Sequence, residues 1–151
     1  MKGHIRTIVV GFVAGALGVL VFHQLGFWLS NQLGLLNAQL YSMRPVPPWG
    51  MPTIVSQAFW GGMWGVLAAF VVRRLPAPLN GALGWMLFAG IVVTLVNWFV
   101  VLPIKGAPVG GGFRMNGVWV VPAVYVIWGF GMWLIARLMG DVLGWRQEEA
   151  T

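Results

Sequence analysis

The chain has 151 residues, of which 59% are hydrophobic and only 8% charged, and its mean hydropathy is +0.83. An ordinary soluble domain carries about 25% charged residues, so this composition excludes a water-soluble globule and points to a bilayer. The formal charge of +6 comes from nine Lys and Arg against three Asp and Glu, and the lack of cysteine excludes disulfides, thiolate metal sites and thiol catalysis.

Four apolar blocks, near residues 7–28, 53–72, 81–102 and 118–138, each reach the length of about 17 to 25 residues that a spanning helix needs. Strict two-residue alternation is absent from them, so their backbone groups must be paired within helices rather than around a barrel. The expected fold is all-α: a polytopic membrane protein in which one domain, residues 1–151, holds four transmembrane helices arranged as two helical hairpins. A short cytoplasmic tail, residues 139–151, follows.

The first block follows Lys2 and Arg6. It is longer than the apolar region of a signal peptide and has no small-x-small cleavage site, so a retained helix is expected. Gly11 and Gly15 recur at spacing four, as do Ala14 and Gly18, and Gly61 and Gly65 repeat the pattern in the second helix. In lipid, where apolar association gains nothing from water, such spacings let helix backbones approach closely. Packing within one bundle is the simpler reading, and a seam between copies in a homo-oligomer is the other.

His23, near the end of the first apolar block, is the one side chain within the four blocks whose unperturbed pKa lies near neutrality. Residues 29–40, LSNQLGLLNAQL, are moderately amphipathic and are expected along the outer interface. The proline-rich run from Tyr41 to Gly50 should be extended, and it carries Arg44. The second helix holds Gln57 and ends in Arg73-Arg74, and Pro76, Pro78 and Gly81 keep the next link short. The third helix holds Asn97 and runs into Lys105, Gly110, Gly111, Gly112 and Arg114. Consecutive glycines can gather backbone N–H groups into an anion-binding nest, while the plainer reading is a flexible connector with interfacial cations. No Lys-Ser or Lys-Thr follows the last glycine, so this is not a P-loop.

The fourth helix carries Tyr125 and the stretch Trp128-Gly129-Phe130-Gly131-Met132-Trp133. That stretch resembles Trp60-Gly61-Gly62-Met63-Trp64, and Ala14-Gly15 resembles Ala89-Gly90, which suggests two tandem repeats. Trp28, Trp49, Trp119 and Trp145 suit interfacial anchors; Trp60, Trp64, Trp85, Trp98, Trp128 and Trp133 fall deeper, as packing residues.

Placing both termini in the cytoplasm puts Lys2, Arg6, Arg73, Arg74, Arg137 and Arg146 inside and leaves Arg44, Lys105 and Arg114 outside, the bias that orients membrane proteins. With a rise of about 1.5 Å per residue, His23, Gln57 and Asn97 all lie roughly 8 Å above the midplane, and Tyr125 shares their half. The inner half is nearly devoid of polar groups. An open channel needs wettable lining along its length and a cation pump an intramembrane carboxylate, and neither pattern is present. The expected site is an outward-facing polar pocket of His23, Gln57, Asn97 and Tyr125, rimmed by Arg44, Lys105 and Arg114. Individually, such polar residues often only bond across helices, for about 0.6 to 2 kcal/mol each.

Paired carboxylates or a His-carboxylate pair are missing before Asp141, so enzymatic chemistry is not expected. A haem held by His23 would need a second ligand from another chain.

The stretch LNGALGWMLFAGIVVTLVNWFVVLPIKGAPVGG, residues 79–111, with its Pro103-Ile-Lys-Gly106 turn, resembles the third-helix region of the YagU-like bacterial inner-membrane proteins. The helix ending in Arg73-Arg74 is similar as well. Members often carry histidines near Asn97 and at the start of the fourth helix, and this chain has neither. The resemblance implies a small multi-pass protein of the bacterial inner membrane and no activity. The expected function is a non-catalytic accessory subunit or lipid- or small-anion-binding module whose partners are membrane lipids, further copies or a larger membrane complex, not nucleic acid. A passive transporter or channel formed by a homo-oligomer is one alternative. A haem- or quinone-binding electron-transfer subunit is the other.

Overall fold

A computed structural model describes residues 2–115 and 117–142 of the chain. Four helices are long and apolar enough to cross a membrane: α1 (Gly3–Gln32), α2 (Thr53–Val72), α3 (Ala82–Ile104) and α4 (Val120–Asp141). Only 28 to 33% of each spanning window is buried inside the protein. Most of each helix therefore turns side chains such as Leu17, Val21, Leu67, Ile91 and Leu95 outward, as lipid-facing surfaces require.

The helices pack through residues without bulk. An added Cβ on Gly11 would lie 2.7 Å from the Gly65 carbonyl oxygen, one on Gly61 would lie 3.0 Å from the Gly15 oxygen, and Gly15 and Gly65 return the same contacts. The α1 and α2 backbones thus touch directly, in opposite senses, since Gly11 meets Gly65 while Gly15 meets Gly61. At the α3–α4 contact a Cβ on Gly129 would lie 2.6 Å from the Trp85 carbonyl oxygen. Between α1 and α4 the Trp128 indole Nε1 donates to the Gly15 carbonyl at 3.2 Å. Val19, Ala68, Val72, Trp85, Phe88, Ala89, Trp128 and Met132 form the core where the helices converge.

Three π-helical stretches interrupt the ladder: Val19–His23 in α1, and Phe88–Val93 and Asn97–Val101 in α3. The last has an evident cause. Pro103 has no N–H to return to the preceding turn, and the widened turn lies directly before it.

The connections differ from expectation. Residues 29–40, expected along the outer interface, are not one element: α1 continues to Gln32, and Gly34, at φ +67, ends it while Leu35 N–H bonds back to the Ser30 carbonyl. The proline-rich run is not extended throughout, because Pro45–Val46 (β1) pairs antiparallel with Met51–Pro52 (β2) around a turn closed by Gly50 at φ +66. Trp60, expected among the packing residues, is 60% exposed, while Trp85 and Trp128 are buried. Arg146, Trp145, Glu148, Glu149 and the rest of the tail beyond residue 142 lie outside the described residues.

Because the α1–α2 contact admits no side chain, Gly15→Ala is expected to destabilise the protein by about 1 to 3 kcal/mol, the usual cost of overpacking. Gly3→Ala, in the same helix with nothing within 4 Å of its added methyl, should leave stability unchanged. Thermal unfolding of both variants in one detergent checks the contrast.

Candidate functional site

A cavity of about 170 Å³ opens at the end of the bundle that carries the two long connections. Its lining combines His23 and Phe27 of α1, Leu36 of the first connection, Asn97 of α3, and Val120, Val121, Val124 and Tyr125 of α4. Apolar surface dominates, and the polar groups converge from three helices. The His23 ring lies 5.8 Å from that of Tyr125, stacked, and meets Phe27 and Trp128 edge-on at 4.5 and 6.4 Å. Trp128 and the fully buried Met132 belong to the core behind this cluster.

These polar groups have no partners in the fold. His23 is only 7% exposed, yet its Nδ1 makes no hydrogen bond, and neither the Asn97 amide nor the Tyr125 hydroxyl finds one among the described residues. A buried polar atom left unpaired costs about 1 to 3 kcal/mol, and of these three groups it is the His23 Nδ1 that is both buried and unpaired, so the space beside it is a place for an occupant.

Local backbone irregularity positions them. His23 closes one π-helical stretch and Asn97 opens another, and such widened turns rotate the following side chains off their α-helical azimuth. In α1 the Gln24 N–H bonds to the Val19 and Val21 carbonyls and skips Leu20. The bypassed Leu20 carbonyl accepts instead from the Tyr41 hydroxyl at 2.8 Å, while the Tyr41 N–H donates to Gln24 Oε1 at 2.9 Å. Asn31 adds two bonds to Ala38, each of 2.8 Å. Together these anchors fold residues 33–41 back on α1 and set Leu36 against the cavity.

The structure unites His23, Asn97 and Tyr125 and leaves the other expected members elsewhere. Gln57 is half-buried on α2 and does not line the cavity. Arg44, Lys105 and Arg114 are exposed and do not line it. Gly110, Gly111 and Gly112 do not build the expected nest, which alternates backbone hand. They have φ of +59, +63 and +80 and are followed by Phe113 at +47, a continuous left-handed turn. Its Gly111 and Phe113 amides are already bonded, to the Pro108 and Gly110 carbonyls. The turn folds Phe113 over Gly110 and against Trp98 and Phe99, at centroid distances of 5.5 and 6.2 Å. Glycine is needed there to pass the chain beneath an aromatic lid on the end of α3.

Gln24, 3% exposed, and Thr94, 2% exposed, are buried polar residues that do not line the cavity; Gln24 Nε2 and Thr94 Oγ1 are unpaired as well. The signal for Gln24 was its adjacency to His23. Nothing in the sequence marks Tyr41 as its anchor. Among the described residues no three His, Asp or Glu side chains come together, so a metal ion would find no ligand set here.

Tyr41→Phe removes the exposed bond to the Leu20 carbonyl, a loss of about 0.5 to 1.5 kcal/mol. The expected outcome is faster amide exchange across residues 33–41, with α2 and α4 unaffected, measured by hydrogen–deuterium exchange.

No protein-family model matches this chain, and neither does any curated protein or solved structure; the cavity and its unpaired groups are therefore the ground on which a function is to be argued.

Proposed function

We propose that the protein is a non-catalytic, multi-pass membrane module that binds a small amphiphilic molecule from the bilayer in the His23–Asn97–Tyr125 cavity. The observation behind this reading is the buried, unpaired His23 Nδ1 beside a mostly apolar space that Asn97 and Tyr125 also line. An apolar cavity of about 150 Å³ takes a molecule of benzene's size. The space of about 170 Å³ suits a single ring or a short branched chain bearing one hydrogen-bonding group. A porphyrin is far larger, which disfavours haem.

In this proposal the four helices form two hairpins with both termini in the cytoplasm, as the distribution of Lys and Arg suggests, and the cavity lies in the outer half. Gly61 sits against α1 as Gly129 sits against α3, in keeping with a tandem repeat. The YagU-like resemblance adds the bacterial inner membrane as the setting. Binding is favoured over passage through one protomer by the core beneath the cavity, where Val19, Trp128 and Met132 are each at most 3% exposed. A small anion is a poorer fit than a neutral amphiphile, because the cavity holds no Lys or Arg.

The test is native mass spectrometry of protein extracted in mild detergent, followed by identification of any retained small molecule. Wild type should retain one. His23→Ala should lower its occupancy roughly tenfold, the worth of a hydrogen bond in a dry site, and Val121→Trp should exclude it by filling the space. Equal retention in all three proteins, or none in wild type, contradicts the proposal.

A further inference from the structure

The end of the bundle opposite the cavity gathers cations from α1 and α2. Gly11 meets Gly65 and Gly15 meets Gly61, so the helices run antiparallel, and Gly3, eight residues before Gly11, is level with Arg73, eight after Gly65. The 20 residues of α2 span about 30 Å at the helical rise, the thickness of the hydrocarbon core. Arg73 and Arg74, which follow directly, therefore stand at headgroup level.

Local contacts aim both guanidiniums at one stripe of α1. That of Arg73 donates to Thr7 Oγ1 at 2.6 Å, and the Thr7 hydroxyl donates in turn to the Gly3 carbonyl at 2.9 Å. That of Arg74 donates to the Phe70 carbonyl at 2.8 Å and lies 5.8 Å over the Phe70 ring, on which the His4 imidazole stacks at 6.0 Å. His4 and Gly3 lie three and four residues before Thr7, on the same helical face. Arg73, Arg74 and His4 are all exposed, and an added Cβ on Gly3 would meet nothing within 4 Å, so the stripe ends in open space.

The charge gathered here is unanswered. Neither arginine contact supplies a negative group, since one acceptor is a hydroxyl and the other a carbonyl, and each uses one donor of a fork that has five. No Asp or Glu occurs before residue 141, so neither α1 nor α2 carries an acid.

We infer that Arg73, Arg74 and His4 form a binding site for the headgroup phosphate of an anionic phospholipid, seated beside Gly3 against the first turns of α1. A guanidinium fork matches the oxygens of a phosphate, and these two forks are already oriented by their bonds to Thr7 and Phe70. Depth favours a lipid over a soluble phosphate, because the arginines stand where a spanning helix ends and the bilayer's own phosphates lie. Ile8, one turn along α1 from His4 and 46% exposed, offers apolar surface to an acyl chain.

The experiment uses protein reconstituted in vesicles of equal phosphatidylglycerol and phosphatidylcholine, re-extracted in mild detergent, with retained lipid counted by native mass spectrometry. Wild type should retain phosphatidylglycerol in preference to phosphatidylcholine, and added inorganic phosphate should not displace it. Arg73→Gln/Arg74→Gln should lower that preference by roughly fivefold per arginine removed. Arg73→Lys/Arg74→Lys keeps both charges but removes the forks, and it should lose most of the preference as well. Equal retention of the two lipids by wild type overturns the inference. So does full preference in the lysine variant, which would mark diffuse charge rather than a site, or displacement by inorganic phosphate, which would assign the site to a soluble anion. Thermal unfolding of both double variants verifies that the fold is intact.

Discussion

The direct contact of two helix backbones at Gly11, Gly15, Gly61 and Gly65 is the constraint on which the other features rest. Between helices in lipid the gain comes from close packing and interhelical hydrogen bonds, not from expelling water. Holding α1 this close to α2 fixes the Gly15 carbonyl where the Trp128 indole can donate to it. Trp128 in turn orients α4, and Tyr125, three residues earlier and therefore on the same helical face, stacks on His23. A methyl group at the crossing displaces α1 and, through Trp128, the wall of the cavity.

The cavity departs from the rule that buried polar atoms are paired. His23 Nδ1 is buried without a partner at the space that Asn97 and Tyr125 also line. The chain does repair such defects elsewhere: the Leu20 carbonyl bypassed by the π-helical stretch is bonded by Tyr41, and the glycine loop bonds its own amides.

Much of the fold was legible because a bilayer imposes simple rules. Length and hydropathy located α2 at 53–72, its observed span, and the other three within a few residues at most ends. Spacing-four glycines pointed to the α1–α2 contact because a backbone approach has few other sequence solutions. The site was legible in one coordinate only. Rise per residue grouped His23 and Asn97 at one level, and both line the cavity, but azimuth decides which side chains converge, and it depends on packing and on π-helical turns that hydropathy does not register. Gln57 was misplaced for that reason. The glycine loop was misread for another: Gly110 to Gly112 were read for the N–H groups they expose, whereas their left-handed φ and the ring of Phe113 determine what the loop does.

The most direct measurement is the 15N spectrum of the His23 imidazole in protein extracted with its native lipids and again after their removal, assigned with a His4→Gln background. The account predicts a hydrogen-bonded Nδ1 in the first sample that shifts to an unbonded one in the second. An Nδ1 signal identical in both, whether bonded or not, would contradict a ligand at this site.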